Sequence, residues 1–368
     1  MGGKDMKPAM AGRVGNGTAR GDKRTHRLAL IGFGVVSQGL VEILLKTEER
    51  LSALGTSLQV VAISDPQKGS LYHPAGLDLA EIVRTIDQAG NLAGYPETPG
   101  LARGWDSLTT IARSNADTVI EATYTNIATG QPGLDHCRAA LAAGKNVVTT
   151  NKGPVALAYD ELLALAAEKG VRFAFEGTVM SGTPTLRLLA TSLAGNQILG
   201  IRGILNGTTN YILTRMEDGF GYAEALSEAQ RLGYAEADPG NDVEGYDALY
   251  KLLILGHVLF NRSIAPASVA RRGISQLAPA DIARAKEEGK RWKLIAKITR
   301  DGEDLSASVV PEMLPLADPL AGVGGATNAM TYDCDLSGAI TVVGAGAGRI
   351  ETGYALLIDC VNVVRGER

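Results

Sequence analysis

The sequence predicts an α/β protein in which a Rossmann-like, doubly wound parallel sheet is joined to an α+β domain. Three observations support this fold class. The chain has 368 residues, which is more than one typical hydrophobic core accommodates. Short apolar runs alternate with helical segments in the first half, as in parallel sheets that helices cover on both faces. The first of those runs leads directly into a glycine-rich turn, where folds of this class bind dinucleotides.

The first half of the chain is predicted to contain the parallel sheet. Its strands are expected at residues 28–31, 59–64, 116–121 and 146–150. Helices are expected from residue 35 to about residue 46 and at residues 78–88, 106–114 and 134–143. Turn-forming residues are frequent between residues 65 and 104, so we expect a loop excursion there that contains only one helix.

The second half has a different pattern. Its expected elements are a helix at residues 159–169, a strand at 171–175, a loop at 177–184, mainly helices from there to about residue 260, a β-hairpin at 291–314 and a last helix at 352–364. The hairpin should turn at Asp301 and Gly302, because this dipeptide is typical of tight turns. A glycine-rich turn at residues 344–348 precedes the last helix.

This order of elements predicts two domains and a terminal extension. Residues 27–155 and 341–368 are predicted to form the dinucleotide-binding domain, because the last helix returns to the first sheet. Residues 156–340 are predicted to form the inserted α+β domain. Residues 1–26 contain no apolar segment of a secretory signal, and we expect a disordered extension.

Composition excludes several classes of protein. With 21% charged residues and a formal net charge of −4, the chain lacks the positive charge that binds nucleic acid or an anionic membrane. Its most apolar stretch, residues 252–260, is about half of the roughly 18 residues that a membrane helix needs. The cysteines form no CxxC pair, so we expect no zinc site and reduced thiols in a cytoplasmic protein. They are Cys137, Cys334 and Cys360.

The first glycine-rich turn has the pattern Gly32-x-Gly34-x-x-Ser37. The first glycine permits a tight turn, and the second lets a pyrophosphate approach the N-terminus of the following helix. Such glycines also occur wherever a strand turns sharply into a helix, but the strand before this turn and the helix after it favour a nucleotide site. Ser37 stands where close packing normally requires Gly or Ala, and Gly39 follows two residues later. We therefore expect looser packing at Ser37.

Asp65 follows the second predicted strand, where a carboxylate usually accepts hydrogen bonds from the adenosine ribose. Its charge would repel the 2′-phosphate of NADP. Lys68 could offset that charge and admit NADP, and Asp65 could instead only initiate the turn at Pro66. The sequence therefore predicts NAD(P) as the cofactor, with a preference for NAD.

A second group of charged residues occupies residues 233–251, which contain five carboxylates and one lysine. The helix expected from residue 243 to residue 260 is apolar on nearly every side and should be buried. Asp247 and Lys251 are four residues apart and would share one face of it. A structural ion pair would explain them, because a buried charge without a partner is costly.

Further polar side chains are expected near this pair. Glu236, Asp238 and Asp242 precede the same helix, although Asp242 could be no more than a helix cap. Lys152 directly follows an apolar strand, so we expect it beside the nicotinamide unless it is a solvated loop lysine. Several carboxylates with a lysine favour a pocket that binds an amino group and protonates an oxygen.

Five segments of the sequence resemble those of homoserine dehydrogenase. They are EATYTN at residues 121–126, TTNKGP at 149–154, EGTVMSGTP at 176–184, LNGTTNYI at 205–212 and the acidic stretch at 233–251. The resemblance extends from about Leu28 to the end of the chain and is weakest at residues 66–104 and 261–315. We expect a short form of the enzyme, without the aspartokinase or the C-terminal ACT domain of some relatives.

The resemblance implies a role for each matching residue. Lys251 matches the general acid/base lysine, with Asp247 beside it contacting substrate, and Lys152 matches a second lysine near the hydride-transfer site. Glu236 matches the substrate-holding glutamate, and Asp242 a structural or catalytic aspartate. The expected cofactor-binding residues are Gly32, Gly34, Val35, Val36, Asp65, Thr123, Thr125, Lys152 and Gly348. A monovalent cation (Na+) is implied at Glu176, Val179, Ser181 and Thr183, mostly through backbone carbonyls.

The resemblance thus implies reversible hydride transfer between NAD(P)H and aspartate 4-semialdehyde, which gives L-homoserine. The second domain would be a catalytic and dimerisation domain, and the protein a homodimer or a larger homo-oligomer. One alternative is a related NAD(P)-dependent dehydrogenase of another small amino acid or aldehyde, which the intact set of Glu236, Asp247 and Lys251 disfavours. The other is a catalytically idle NAD(P)-binding regulator, which the presence of Lys152 and Lys251 disfavours.

Overall fold

The computed structural model of the protein describes residues 25–302 and 304–367, so residues 1–24 of the predicted extension lie outside the described residues. The strands are β1 (His26–Ile31), β2 (Leu58–Asp65), β3 (Gly69–Tyr72), β4 (Ala102–Arg103), β5 (Thr118–Glu121), β6 (Asn146–Thr149), β7 (Phe173–Ala174), β8 (Ile198–Ile204), β9 (Ala270–Arg271), β10 (Lys290–Asp301), β11 (Asp304–Pro315), β12 (Thr327–Cys334) and β13 (Gly338–Ala345). The helices are α1 (Val35–Ala53), α2 (Leu79–Ala89), α3 (Ser107–Arg113), α4 (Gly133–Ala142), α5 (Lys152–Lys169), α6 (Gly177–Met180), α7 (Leu186–Ala190), α8 (Gly207–Glu217), α9 (Tyr222–Arg231), α10 (Gly240–Val243), α11 (Tyr246–Phe260), α12 (Pro279–Glu287) and α13 (Arg349–Arg365). None of the described helices is long and apolar enough to cross a membrane.

The first sheet has seven strands in the order β4-β3-β2-β1-β5-β6-β7. The five strands from β2 to β7 in this order are parallel, and the four strands predicted from apolar runs are among them. The predicted doubly wound fold is therefore confirmed. The prediction for residues 65–104 was incomplete, because β3 and β4 add two antiparallel strands at the edge of the sheet. These strands have four and two residues, which is too short to produce a recognisable pattern.

Two hydrophobic clusters enclose this sheet, one on each face. Along β1, Leu28 and Leu30 belong to one cluster, whereas Ala29 and Ile31 belong to the other. All four side chains are fully buried, as expected for a strand covered by helices on both faces. Because helices pack on both faces of the sheet, the carboxyl ends of its parallel strands lie side by side in fixed positions along one edge.

The second sheet has six strands in the order β13-β12-β8-β10-β11-β9. The predicted hairpin is confirmed as β10 and β11, with Asp301 paired to Asp304. The prediction of mainly helices up to residue 260 was wrong at β8, which is a central strand of this sheet. Gly200 and Gly203 interrupt its apolar pattern, and a Cβ on Gly203 would lie only 2.7 Å from Ala329 O. Gly203 is thus required by the close approach of β12, and a Cβ on Gly200 would lie 3.1 Å from Ile298 O in β10.

The predicted helix at residues 243–260 begins three residues later than expected, at Tyr246. Gly245, with φ of +79°, separates α10 from α11. Helix α11 is buried over most of its length, as expected from its apolar composition. Helix α5 begins at Lys152, earlier than expected, and Ala158 interrupts it with φ of −140°.

The last helix packs against the first. A Cβ on Gly39 in α1 would lie 2.0 Å from Arg349 O, and one on Gly353 in α13 would lie 2.7 Å from Leu40 N. These two glycines therefore let α1 and α13 approach closely. The expectation of loose packing at Ser37 was wrong, because its side chain is fully buried and its hydroxyl donates to Gly32 O at 2.7 Å.

Candidate active site

A cavity of about 950 Å³ lies along the carboxyl ends of β1, β2 and β5. In open α/β sheets, ligands bind along this edge. The predicted cofactor-binding residues that line the cavity are Gly32, Gly34, Asp65 and Thr123. Those outside its lining are Val35, Val36, Thr125, Lys152 and Gly348.

The turn after β1 fits a pyrophosphate. Gly32 has φ of +85°, and a Cβ on it would lie 2.6 Å from Ala122 O, so glycine is required on both counts. Gly34 precedes α1 without a side-chain cap, and the first turn of α1 contains no acidic residue. The N–H groups at this helix end are therefore open to an anionic ligand.

Asp65 shapes the neighbouring turn and lines the cavity as well. Its Oδ2 accepts the Phe33 N–H at 2.7 Å, and its Oδ1 accepts the N–H groups of Gln67 and Lys68 at 2.9 Å each. Burial tends to raise the pKa of the carboxyl group, but these main-chain donors, Phe33 first, hold the pKa below its ordinary value. Asp65 therefore serves the turn while presenting a negative charge to the cavity.

Strands β3 and β4 bring two residues into the cavity that sequence reasoning missed. Arg103 in β4 lines the cavity, and its Nε lies 2.5 Å from Glu97. Trp105 also lines it and stacks on Tyr72, with ring centroids 4.7 Å apart. The sequence near Asp65 contains no arginine, yet a guanidinium stands in the same cavity wall. No local pattern indicates this, because the approach depends on the pairing of two very short strands.

Two lysines share one carboxylate where α5 meets α11. Lys251 Nζ lies 2.8 Å from Asp247 Oδ2 and donates to Leu205 O at 2.6 Å. Lys152 Nζ lies 3.5 Å from Asp247 Oδ1, so it is not a solvated loop lysine. The cluster is mostly buried, with exposed side-chain fractions of 8% for Lys251, 17% for Asp247 and 22% for Lys152. It is therefore largely protected from solvent but still accessible to a small ligand.

Asn206 connects this cluster to Asp242. Its Nδ2 donates to Asp242 Oδ1 at 2.7 Å and to Asp247 Oδ2 at 3.0 Å. Its Oδ1 accepts the Thr209 N–H at 2.8 Å and so caps α8. Asp242 thus belongs to the cluster rather than capping a helix. The LNGTTNYI segment contains Asn206, but its spacing alone did not indicate this contact.

The two carboxyl groups have pKa values shifted in opposite directions. Burial tends to raise the pKa of Asp247, but the ammonium groups of Lys251 and Lys152 and hydrogen bonds from Lys251 and Asn206 lower it below its ordinary value. Burial and then the negative charge of Asp247 raise the pKa of Asp242. Asp247 therefore stays ionised between the lysines, and Asp242 is the member that accepts a proton more readily.

Glu236 is not brought to this cluster. Its side chain is exposed, and it forms no ion pair with any residue in the described part of the chain. The loop is held through its main chain, since Gln230 Nε2 donates to Glu236 O at 3.0 Å. Asp238 is also exposed and accepts the Gly240 N–H at 3.1 Å. Of the three loop carboxylates, Asp242 alone reaches Asp247 through a shared donor.

The loop expected to bind a cation begins at Glu176, whose carboxylate is already satisfied. Its Oε1 accepts the N–H groups of Thr185 and Leu186 at 2.6 and 3.0 Å, and its Oε2 accepts that of Arg187 at 2.8 Å. Among the described residues, no group of three or more His, Cys, Asp or Glu side chains could hold a metal ion. Outside the helices and strands, no main-chain hydrogen bond between described residues ends on the carbonyl of Val179, Ser181 or Thr183, whereas Glu176 caps the short helix α6. The Glu176 carboxylate is thus occupied by main-chain donors and is not available as a cation ligand.

Two protein-family models match the chain over most of its length. The model of homoserine dehydrogenase matches residues 184–361, and the model of the homoserine dehydrogenase NAD binding domain matches residues 32–176. The chain belongs to the homoserine dehydrogenase family. The resemblance inferred from its motifs is thereby confirmed, and the protein is an NAD(P)-dependent oxidoreductase of this family.

Individual homoserine dehydrogenases agree with this assignment. An NAD(+)-dependent homoserine dehydrogenase of Pseudomonas canavaninivorans is 45% identical over 92% of this chain and 96% of its own length. A homoserine dehydrogenase of Methanocaldococcus jannaschii is 38% identical over 91% of this chain and 98% of its own. A crystal structure from Archaeoglobus fulgidus assigned as a homoserine dehydrogenase has a TM-score of 0.82 and 35% identity, covering 92% of this chain and 99% of that one. A hyperthermophilic archaeal homoserine dehydrogenase in complex with NADPH has a TM-score of 0.80 and 27% identity, covering 94% and 99%.

Proposed function

We propose that this homoserine dehydrogenase interconverts L-homoserine and L-aspartate 4-semialdehyde, with Lys251 as the proton donor and acceptor. The observation that carries the proposal is the carboxylate of Asp247 between two lysines. The nicotinamide supplies or accepts the hydride when the cofactor is bound, so the protein has to orient the substrate and move one proton. Lys251 has three N–H donors, and two are directed at Leu205 O and Asp247. The third is left for the substrate oxygen.

Asp247 and Lys152 set the charge around Lys251. Asp247 holds the Lys251 side chain in place, and the ammonium form of Lys251 donates its proton to the aldehyde oxygen during reduction. In the direction of oxidation, neutral Lys251 takes the proton from the hydroxyl group. Lys152 supplies a second positive charge, which stabilises negative charge that develops on the substrate oxygen.

We assign the substrate ammonium group to Asp242 and Glu236, because carboxylates form strong charge-assisted hydrogen bonds with ammonium. Asp242 is already joined to Asp247 through Asn206. Glu236 is exposed in the loop before α10, so its contact requires that the loop approach the bound substrate. Among the assigned residues, Glu236 is therefore the one whose role depends on substrate binding.

For the cofactor we propose NAD in preference to NADP. The support is the Asp65 carboxylate in the cavity lining and the NAD(+)-dependent relative at 45% identity. Arg103 lines the same cavity, but its Nε is paired with Glu97 and its Nη1 donates to Leu92 O at 3.3 Å. Its guanidinium is thus committed to protein groups. Val35, Val36, Thr125, Lys152 and Gly348 remain proposed cofactor contacts.

A monovalent cation is proposed at the backbone carbonyls of Glu176, Val179, Ser181 and Thr183. Such an ion would tie together the loop that leads from the first sheet into α7. It would act on the position of this loop, and no step of proton transfer depends on it. Activity measured in choline salts with graded additions of NaCl tests for the ion.

Domain division, assembly and location are also proposals. We keep the dinucleotide-binding domain at residues 27–155 with 341–368 and the catalytic and dimerisation domain at 156–340, although β7 carries the first sheet to Ala174 and β13 carries the second to Ala345. A homodimer or larger homo-oligomer is supported by the outermost strand β13, where Val343 is 53% exposed. A cytoplasmic location is supported by the three cysteines, which are free and buried.

The experiment that tests the function is an absorbance assay at 340 nm with L-homoserine and each nicotinamide cofactor. Reduction of cofactor that depends on L-homoserine supports the proposal. Activity with a chemically similar amino alcohol, and none with L-homoserine, would change the assigned substrate but leave the assigned reaction type unchanged. Light scattering after gel filtration measures the number of subunits.

A further inference from the structure

A fully buried carboxylate lies beneath the loop that follows β5. Glu121 is the last residue of β5, and its side chain has no exposed surface. Its Oε1 accepts the Thr123 N–H at 3.1 Å and the Thr123 hydroxyl, and its Oε2 accepts the Thr149 hydroxyl at 3.2 Å. A carboxyl group buried to this extent depends on nearby polar partners.

The basic side chain that faces Glu121 is His136 in α4. His136 Nδ1 lies 3.6 Å from Glu121 Oε1, and within the described ranges this is the ion pair that Glu121 forms. Nδ1 is buried and makes no hydrogen bond of normal length. Cys137 follows on the same helix, but burial and the charge of Glu121 raise the pKa of its thiol, so it stays neutral. His136 is therefore the side chain that pairs with Glu121 in this buried site.

The same histidine borders the cofactor cavity. His136 is among the lining residues although its side chain is only 8% exposed. Because Nδ1 is sealed on the Glu121 side, the ring edge at the cavity is the one that carries Nε2. The Gly32 turn is connected to His136 through two contacts. A Cβ on Gly32 would lie 2.8 Å from Thr123 N, and Thr123 N donates to Glu121 Oε1, the atom that His136 Nδ1 faces. The imidazole thus faces the part of the cavity next to the proposed pyrophosphate position.

We propose that His136 donates a hydrogen bond through Nε2 to the nicotinamide-side phosphate of the bound cofactor or to the ribose attached to it, and that Glu121 is the positioning residue that holds the imidazole in place. Nothing in the motifs marked either residue for this role. The proposal rests on the use of a nicotinamide cofactor and is independent of which substrate is oxidised.

Close packing of α4 and α5 surrounds the pair of Glu121 and His136. A Cβ on Gly133, in the first turn of α4, would lie 2.5 Å from Asn151 Nδ2 and 3.0 Å from Glu121 Oε2. Asn151 is itself 2% exposed and caps α5, with its Oδ1 accepting the Gly153 N–H at 3.1 Å. Helices α4 and α5 therefore close over Glu121 and leave His136 on the side of the cavity.

The test is cofactor binding without turnover. NADH affinity is measured by nicotinamide fluorescence, and ADP-ribose and AMP are measured by displacement of NADH. ADP-ribose contains the pyrophosphate and both riboses, whereas AMP lacks the pyrophosphate. His136→Phe should lower the affinity for NADH and ADP-ribose by roughly ten- to hundredfold, as expected for the loss of a hydrogen bond to a charged group. It should change the affinity for AMP by less than about twofold.

Two further variants separate the hydrogen bond from packing. Glutamine carries its amide nitrogen to the position of Nε2, whereas asparagine carries it only as far as Nδ1. His136→Gln should therefore bind NADH more tightly than His136→Asn. Glu121→Gln should raise KM for the cofactor and leave kcat at saturating cofactor within about twofold. The control is His257→Gln, because His257 is also buried but stacks on Tyr159 and does not line the cavity.

Unchanged NADH affinity in folded His136→Phe would overturn the proposal, and so would equal losses for AMP and ADP-ribose. Equal NADH affinity for His136→Gln and His136→Asn would also overturn the proposal. This comparison still tests the proposal if His136→Phe does not fold. None of these measurements uses L-homoserine. A failure of the proposed substrate would therefore appear in the absorbance assay and not here.

Discussion

Replacing Lys251 with alanine tests the centre of the proposed mechanism. The substitution removes a proton donor that lies 2.8 Å from Asp247 and 2.6 Å from Leu205 O. Loss of a general acid/base typically lowers turnover by about 10²–10⁴-fold, which corresponds to roughly 3–5 kcal/mol of the activation barrier. Asp247 keeps Asn206 and Lys152 as partners, so the fold should lose only about 1–3 kcal/mol, mainly from the unpaired Leu205 O.

The assay for this variant combines three measurements. Turnover is followed at 340 nm, NADH affinity by fluorescence and the free energy of unfolding by urea denaturation. NADH affinity should stay within about twofold of wild type, because Lys251 does not line the cofactor cavity. Lys297→Ala, which removes an exposed lysine of β10, is the matched control. Turnover near that of wild type would refute the assignment of Lys251, and a parallel loss of NADH binding would show a general structural defect.

Three further predictions follow from the described contacts. Glu236→Gln should raise KM for L-homoserine more than it lowers kcat, and an unchanged KM would reduce Glu236 to a loop carboxylate. The wild-type enzyme should use both cofactors, with a higher kcat/KM for NAD than for NADP. Asp65→Ser should reduce this difference in kcat/KM, and Lys68→Ala should increase it. A strong preference of the wild-type enzyme for NADP would contradict the electrostatic argument. Gly39→Val should lower the free energy of unfolding, measured by urea denaturation, by at least about 2 kcal/mol, because a Cβ at this position would lie 2.0 Å from Arg349 O. An unchanged midpoint of urea denaturation would mean that α13 shifts away from α1 without loss of stability.

The sequence predicted those parts of the fold in which one local pattern determines the structure. Apolar runs identified the central parallel strands, and the Gly32 turn identified the cofactor edge. Asp247 and Lys251 were paired correctly because four residues on one helix fix their relative position. Lys152 was expected at the sheet edge from the strand before it, but its contact with Asp247 depends on how α5 meets α11.

The parts that could not be predicted depend on approach between distant segments. Gly203 in β8 and Gly39 in α1 look like breaks or flexible points in the sequence, yet each permits a close backbone contact. Ser37 departs from the usual loop pattern, but its buried hydroxyl bonds to the turn that it follows. Arg103 and His136 reach the cavity from segments without a motif, and only the paired strands and packed helices bring them there.

The crossing of α1 and α13 has a consequence for how the chain folds during synthesis. Arg349 in α13 contacts Glu42 in α1, and the two residues are 307 positions apart. The ribosome therefore releases α13, the partner of α1, only after all strands of the second sheet have been made. Contacts of such long range slow folding, because loop closure has to precede them. The apolar face of α1 stays uncovered during that interval, so nascent chains arrested before residue 349 should expose this face to chaperones and to aggregation.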